Sequence, residues 1–221
     1  FEKEGHQDHI YDLFELEHID SIKEIFALPG LVGLNVTLPY KTAVIPYLSE
    51  LDERAKRIGA VNVIAFSTGK PVGYNSDYFG FKNSLEEWLG PNIRPAHALI
   101  LGTGGASRAV KVALEDLDID YTFVSRTPEE GQISYAAVDK DLIRESHLII
   151  NTTPLGMEPD ISSFPEIPYE AMGPNHYLYD LVYNPETTRF IRKGIKAGAR
   201  TMNGLNMLML QAEASWRIWN H

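Results

Sequence analysis

A short apolar stretch, Ala98-Leu99-Ile100-Leu101, runs directly into Gly102-Thr103-Gly104-Gly105-Ala106-Ser107 and then into a segment with helical periodicity. This succession constrains the fold more than any other feature of the chain. Glycines between a buried strand and a helix let the backbone turn tightly and approach a pyrophosphate, whose charge sits at the helix N-terminus. Gly102, Gly104, Gly105, Ala106 and Ser107 are therefore candidate cofactor-binding residues. The loop departs from G-x-G-x-x-G by placing Ser107 at the third glycine position. A merely structural turn is the competing reading.

In such a unit the residue that reads the ribose lies at the end of the next strand, roughly 20 residues on. The strand expected over Tyr121 to Ser125 ends at Arg126. An acidic residue there would favour the free hydroxyls of NAD. An arginine instead offers a fork of donors to a 2′-phosphate, which favours NADP. The alternative is an ordinary solvated surface arginine.

The rest of the chain fits an α/β fold. Before the glycine turn, strands are expected at His9 to Leu16, Leu31 to Val36, Val61 to Ser67 and Val72 to Asn75. Phe1 to Gly5 reads as the tail of a helix, and the Ser21-x-x-Glu24 spacing predicts a capping box opening a short helix with Ile22, Ile25 and Phe26 on one face. Phe79 to Leu89 reads as a helix broken by Gly90-Pro91. Strand and helix signals then alternate: Ala106 to Leu117 helical, Ile133 to Tyr135, Leu148 to Asn151 and Tyr177 to Val182 extended, Thr187 to Ala197 helical, Arg200 to Met202 extended, and Leu205 to Trp219 an amphipathic final helix. Alternating βα units predict a mostly parallel sheet covered by helices.

Composition narrows the function. Hydrophobic residues make up 44% and charged residues 23%, enough for a globular core. Twenty basic against 30 acidic residues leave a net charge of −10, a field that disfavours nucleic acid and anionic membranes. The chain has 0 cysteines, which removes thiolate catalysis and cysteine-based metal sites. His6 and His9 have no carboxylate set to complete a metal site, so none is expected. No apolar run reaches the ~20 residues a membrane helix needs, and the cytoplasm is the expected location.

Three polar motifs stand in apolar surroundings before the glycine turn. Thr37 and Lys41 follow a buried strand in Gly33-Leu34-Asn35-Val36-Thr37-Leu38-Pro39-Tyr40-Lys41. Asn62 lies in Gly59-Ala60-Val61-Asn62-Val63, and Asp77 ends Gly73-Tyr74-Asn75-Ser76-Asp77. Each could be a cap or turn former, Asp77 capping the following helix. Together they suit carbonyl reduction by hydride, which needs a proton donor at the developing alkoxide; a lysine paired with a carboxylate can supply one. Thr37 and Asn62 offer neutral partners for substrate hydroxyls.

The stretches GLNVTLPYK, GAVNV, GYNSD, GTGGASRA, SRT, NTTPLGM, YDLVYNP and MNGLNMLMLQA occur here in the order found in shikimate dehydrogenases, and the chain resembles that family from Gly33 to Ala212. The resemblance implies an N-terminal α/β substrate domain plus a Rossmann-like NADP-binding domain with a cleft between them. It places residues 1–76 and 204–221 in the first and 77–203 in the second. It implies NADPH-dependent, reversible reduction of 3-dehydroshikimate to shikimate on the route to chorismate and aromatic amino acids. Lys41 is similar to the catalytic lysine and Asp77 to its carboxylate partner. Thr37, Asn62, Asp77, Tyr183 and Gln211 match substrate ligands. Arg126 and Thr127 match the ribose-phosphate readers, and Thr152, Leu181, Gly204 and Met207 match positions at the nicotinamide end. The small-molecule substrate is the implied partner of a monomer or homodimer.

Three departures leave alternatives open. The family's opening strand, with a Ser-x-Ser motif for the substrate carboxylate, has no counterpart from Phe1 onward, and a preceding segment is expected. The family's N-R-T is here Ser125-Arg126-Thr127, followed by Pro128-Glu129-Glu130-Gly131 rather than by a second basic residue. The short interval between Arg126 and the Leu148 strand predicts a shortened or missing helix. A quinate/shikimate dehydrogenase preferring NAD and a non-catalytic metabolite sensor are the two rival readings.

Overall fold

The computed structural model describes residues 9–66 and 69–220. They fall into two compact units divided after Leu31. In the first unit, residues 9–18 carry no regular helix or strand, although the apolar alternation predicts one at His9 to Leu16. Ile10 and Leu13 are largely exposed, and no described strand pairs with the segment. Alternation alone is a pattern; a strand also needs a ladder for its backbone donors and acceptors. A 3-10 turn over Ile19–Ser21 leads into α1 (Ile22–Phe26), which buries Ile22 and Ile25. The capping box does not form. Ser21 already has helical dihedrals, φ −66° and ψ −10°, because the 3-10 turn carries the helical backbone through it. The helix tail predicted at Phe1 to Gly5, His6, and the residues at 67 and 68 lie outside the described residues.

The second unit contains two sheets. The smaller has four short strands, β1 (Gly33–Asn35), β2 (Glu50–Leu51), β3 (Val63–Ala65) and β4 (Val72–Tyr74), in the order β1-β3-β4-β2. β3 runs antiparallel to β1 and β4, whereas β2 joins β4 in parallel. Between β2 and β3 lies α2 (Glu53–Ile58). The Asp52 side chain accepts from the Arg54 amide at its start, and Gly59 closes it in the left-handed region at φ 67°.

The larger sheet is wholly parallel: β5 (His97–Leu101), β6 (Asp120–Ser125), β7 (Gln132–Ser134), β8 (Leu148–Asn151), β9 (Tyr177–Asp180) and β10 (Arg200–Met202). Its order is β10-β9-β8-β5-β6-β7. The chain starts in the middle, builds outward through β6 and β7, then returns to the other side of β5. The strand order therefore reverses between β5 and β8, where ligands of doubly wound sheets bind beyond the carboxyl ends. Alternate residues of the central strands feed two cores. Ala98, Ile100, Leu148, Ile150, Tyr177 and Tyr179 belong to one, shared with Phe81 and Leu85 of α3 (Ser76–Leu89) and Val110 and Leu114 of α4 (Gly105–Glu115). Leu99, Leu101, Ile149 and Leu178 enter the other, with Ile143 of α5 (Lys140–Glu145) and Phe190 of α6 (Arg189–Lys196). A strand buried on both faces reads as a continuous apolar run, as the sequence of β5 does.

α7 (Leu205–Trp219) spans the distance back to the small sheet. Its Trp219 indole donates to the Ile64 carbonyl at 3.0 Å, and its Ser215 hydroxyl donates to Asn35 Oδ1 at 3.2 Å. It crosses α3 closely: a Cβ at Gly80 would lie 2.6 Å from both the Met207 carbonyl and Gln211 Cγ. No helix among the described residues is long and apolar enough to cross a membrane.

Candidate active site

The polar residues before the glycine turn converge. Lys41 Nζ donates to Asp77 Oδ2 at 2.6 Å, with the lysine side chain 16% and the aspartate side chain 5% exposed. Asn62 Nδ2 donates to the other carboxylate oxygen, Oδ1, at 2.9 Å. Asn62 is itself fixed, because its Oδ1 accepts from the Ser76 amide at 2.7 Å and its Nδ2 reaches Ser76 Oγ at 3.1 Å. Asp77 does not cap the helix that follows. Asn75 does, its Oδ1 accepting from the Tyr78 amide at 3.2 Å while its Nδ2 donates to the Ala60 carbonyl at 3.0 Å. With the cap supplied by Asn75, Asp77 sits in the first turn of α3, where the helix dipole favours a carboxylate, and its oxygens are left to Lys41 and Asn62. Sequence reasoning found Lys41, Asn62 and Asp77 but missed Asn75 and Ser76. An Asn immediately before a Ser-Asp pair and an apolar helical run was the available signal.

Thr37 is exposed in the turn before Lys41, where its carbonyl accepts from the Tyr40 amide at 2.9 Å. Tyr183 is exposed and Gln211 half-buried. None of these three side chains joins the hydrogen-bonded cluster at Asp77.

The glycine turn lies beside this cluster, since a Cβ at Gly105 would meet only Lys41 Cδ, at 4.0 Å. Gly102 has φ 105°, and its Cβ position is closed by Thr153 Cγ2 at 2.8 Å and Thr152 Oγ1 at 3.0 Å. Here only glycine serves, for conformation and for space. A Cβ at Gly104 would meet nothing within 4 Å. Open space over Gly104 and Gly105 at the start of α4 leaves the first helical amides facing outward, which suits a pyrophosphate. The residues therefore fit a dinucleotide. Ser107 at the third glycine position is buried, and its hydroxyl donates to the Gly104 carbonyl at 2.6 Å, bracing the turn from within.

Thr152 follows the facing strand β8, its hydroxyl donating to the Leu101 carbonyl at 2.8 Å across the switch point. Leu181 and Gly204 are in backbone contact, and Met207 is buried in the core beneath α3. Arg126 and Thr127 are exposed at the carboxyl end of β6, with the Thr127 amide donating to Ser125 Oγ at 3.2 Å. The loop beyond them closes through the Gln132 amide, which donates to the Glu129 carbonyl at 3.0 Å, with Gly131 at φ 80°. Between Arg126 and Leu148 the helix is short, as the interval predicts: α5 has 6 residues.

A second buried network went unseen in the sequence. Asp180, at the end of β9, accepts from Asn151 Nδ2 at 2.9 Å, from the Val182 amide at 3.1 Å and from Thr188 Oγ1 at 2.5 Å. Asn151 Oδ1 in turn accepts from Thr153 Oγ1 at 2.6 Å. The network ties the loop after β8 to the loop after β9, where the Leu181 amide also donates to the Asn151 carbonyl at 3.0 Å. Burial outweighs the three hydrogen bonds and lifts the Asp180 carboxyl to about 6. A carboxyl raised on folding binds its proton more tightly in the folded state. Its contribution to stability falls as pH rises from about 4 to about 6 and is level above that range. The shift of about two units corresponds to roughly 3 kcal/mol. Asp180→Asn keeps the shape and can still accept from Val182 and Asn151, so the variant should be free of this pH-dependent loss. Across that pH range the urea midpoint of the native protein minus that of the variant should fall steadily as pH rises; parallel curves would show the carboxyl to be unshifted.

The profile of the shikimate dehydrogenase substrate binding domain matches residues 1–64. The shikimate dehydrogenase (NADP(+)) of Methanococcus maripaludis strain C7 is 40% identical over 204 residues, covering 86% of this chain and 72% of that protein. A crystal structure of a shikimate dehydrogenase in complex with NADP+ superposes with a TM-score of 0.79 at 34% identity, covering 91% of this chain and 74% of the other. The shikimate 5-dehydrogenase of Thermus thermophilus, in complex with NADP(H) and shikimate, gives a TM-score of 0.78 at 34% identity, with 91% and 77% covered.

Proposed function

The chain belongs to the shikimate dehydrogenase family, and from that membership we propose that it catalyses the reversible NADPH-dependent reduction of 3-dehydroshikimate to shikimate. The observation that carries the reading is the Lys41–Asp77 pair at 2.6 Å, beside the open glycine turn. The chemistry a bound NADPH supplies is a hydride to the ring carbonyl carbon. Lys41 gives a proton to the oxygen as it becomes an alkoxide, and takes it back in the oxidative direction. Asp77 orients the lysine through Oδ2 while Asn62 holds Oδ1, so the proton donor is kept in one geometry. Thr37, Asn62, Asp77, Tyr183 and Gln211 serve as substrate-binding residues; the hydroxyl-bearing ring of shikimate calls for neutral hydrogen-bonding partners of this kind.

The glycine turn from Gly102 to Ser107 takes the pyrophosphate, and Thr152, Leu181, Gly204 and Met207 line the nicotinamide end. Residues 1–76 and 204–221 form the substrate domain and residues 77–203 the dinucleotide domain. The hydrogen bonds of Ser215 and Trp219 to the small sheet support the return of α7 to the first domain.

Arg126 and Thr127 read the 2′-phosphate. A charged hydrogen-bonding partner contributes about 1.5–3 kcal/mol, so Arg126 should favour NADP by roughly tenfold to 150-fold. Steady-state kinetics on shikimate and on quinate, each with NADP and NAD, test the function. The expected result is a shikimate and NADP preference that Arg126→Ala largely removes. Equal use of the two cofactors by the native protein, or quinate preferred with NAD, would favour the rival oxidoreductase. No turnover with any pair would favour the sensor.

A further inference from the structure

Among the described residues, the buried side-chain polar atom without a hydrogen-bond partner is the hydroxyl of Tyr135. Buried polar groups are nearly always paired, and an orphan calls for an explanation. Its place in the fold suggests one. β6 and β7 run parallel in the register Phe123↔Gln132, Val124↔Ile133 and Ser125↔Ser134. One step further along each strand, Arg126 and Tyr135 leave the sheet side by side at its carboxyl edge. That is the edge at which the glycine turn opens from β5.

The adjacency follows from the shortened connection. Parallel neighbours are ordinarily joined by a crossover of a dozen or more residues, usually with a helix. Here only residues 126–131 intervene between β6 and β7, and they are exposed at the carboxyl end. β7 is thereby laid against the last residues of β6, and the residue after β7 is brought beside Arg126. Burial pushes the Tyr135 phenol up while the nearby Arg126 guanidinium pulls it down, in keeping with that proximity. The ring itself is only half-buried and packs against the second core with Ile133.

We propose that Tyr135 is a second cofactor-selecting residue, donating its phenolic O–H to the 2′-phosphate held by Arg126. The inference rests on the NADP reading above. Arg126 supplies the charge and Tyr135 a directional neutral donor, in a segment where Glu129 and Glu130 stand in place of further bases. The exposed Arg126 side chain re-seats on the phosphate, and a small rotation of the tyrosine brings its hydroxyl to the same anion. The orphaned donor then gains an ionised acceptor, the stronger class of hydrogen bond.

Tyr135→Phe removes this one atom, and three measurements on the full chain test the role. Urea unfolding without cofactor should give equal or greater stability than native, because an unpaired buried hydroxyl contributes nothing to the fold. Calorimetry should show NADP binding weakened by roughly tenfold, the scale of one hydrogen bond to a charged acceptor. NAD binding should be unchanged. Adenosine 2′,5′-bisphosphate should lose affinity in parallel with NADP. Loss of stability without cofactor, equal weakening of NADP and NAD, or unchanged NADP affinity would each overturn the inference. If Tyr135→Phe leaves the NADP preference undiminished while Arg126→Ala removes it, the inference fails and the NADP reading stands. If the native protein binds both cofactors equally, the NADP reading fails and takes the inference with it.

Discussion

Lys41→Ala should lower kcat for shikimate oxidation by about 10²–10⁴-fold, the usual cost of losing a positioned acid or base. NADP affinity should survive nearly intact. Nothing in the glycine turn depends on the ammonium group; the lysine stem only passes the position of a Gly105 Cβ at 4.0 Å. Lys41→Arg provides the sharper comparison. It keeps a positive charge beside Asp77, but a guanidinium does not release a proton near neutral pH. If charge alone mattered, arginine would restore activity; if Lys41 transfers the proton, both variants should stay slow. Single-turnover reduction with pre-bound NADPH separates these outcomes, and calorimetry with NADP shows whether the variants retain the cofactor site.

Gly204→Ala should be among the most damaging small substitutions in the chain. Its φ of −76° is open to any residue, so backbone freedom is not the issue. A Cβ there would overlap the Leu181 carbonyl oxygen and lie 2.7 Å from the carbonyl carbon. A backbone held in place by the Asp180 network cannot rotate away as a side chain would. Overpacking typically costs about 1–3 kcal/mol and more where the neighbour is rigid. For a domain of this size, about 3 kcal/mol lowers Tm by roughly 6–12 °C. Because α7 carries Met207 and Gln211, activity should fall with stability. Gly104→Ala is the contrasting variant: with nothing near its Cβ position, it should leave Tm within a few degrees and instead raise the KM for NADP by filling the cradle. Thermal denaturation of the two variants, with and without NADP, checks both halves. Equal Tm losses would mean that the two glycines are not distinguished by packing.

The middle of the larger sheet was legible because β5, β8 and β9 are buried on both faces and read as mostly apolar runs. β5, β8 and β10 lie within a residue of expectation, and α7 begins and ends where its periodicity predicts. The first unit was less legible. His9 to Leu16 alternates convincingly, but whether alternation becomes a strand depends on a pairing partner that no local pattern reveals. Ser21 has the right spacing for a cap, yet a preceding 3-10 turn pre-empts it. β2 escaped notice because two residues, Glu50 and Leu51, carry no periodicity. In the site, Lys41, Asn62 and Asp77 were readable as polar residues in apolar surroundings, and the geometry joins them. Asp180 and Tyr135 were not readable. Their significance lies in what surrounds them, three donors in one case and none in the other, and burial of this kind leaves no local pattern.

In the proposed reaction Lys41 and Asp77 act as one device, and a double-mutant cycle on shikimate oxidation with NADP tests this directly. The kcat values of native protein, Lys41→Ala, Asp77→Asn and the double variant are needed. Residues that act as a unit are strongly non-additive. The double variant should therefore be about as slow as the slower single variant. A double variant slowed by the product of the two single effects would contradict the account, because the carboxylate and the lysine would then contribute independently.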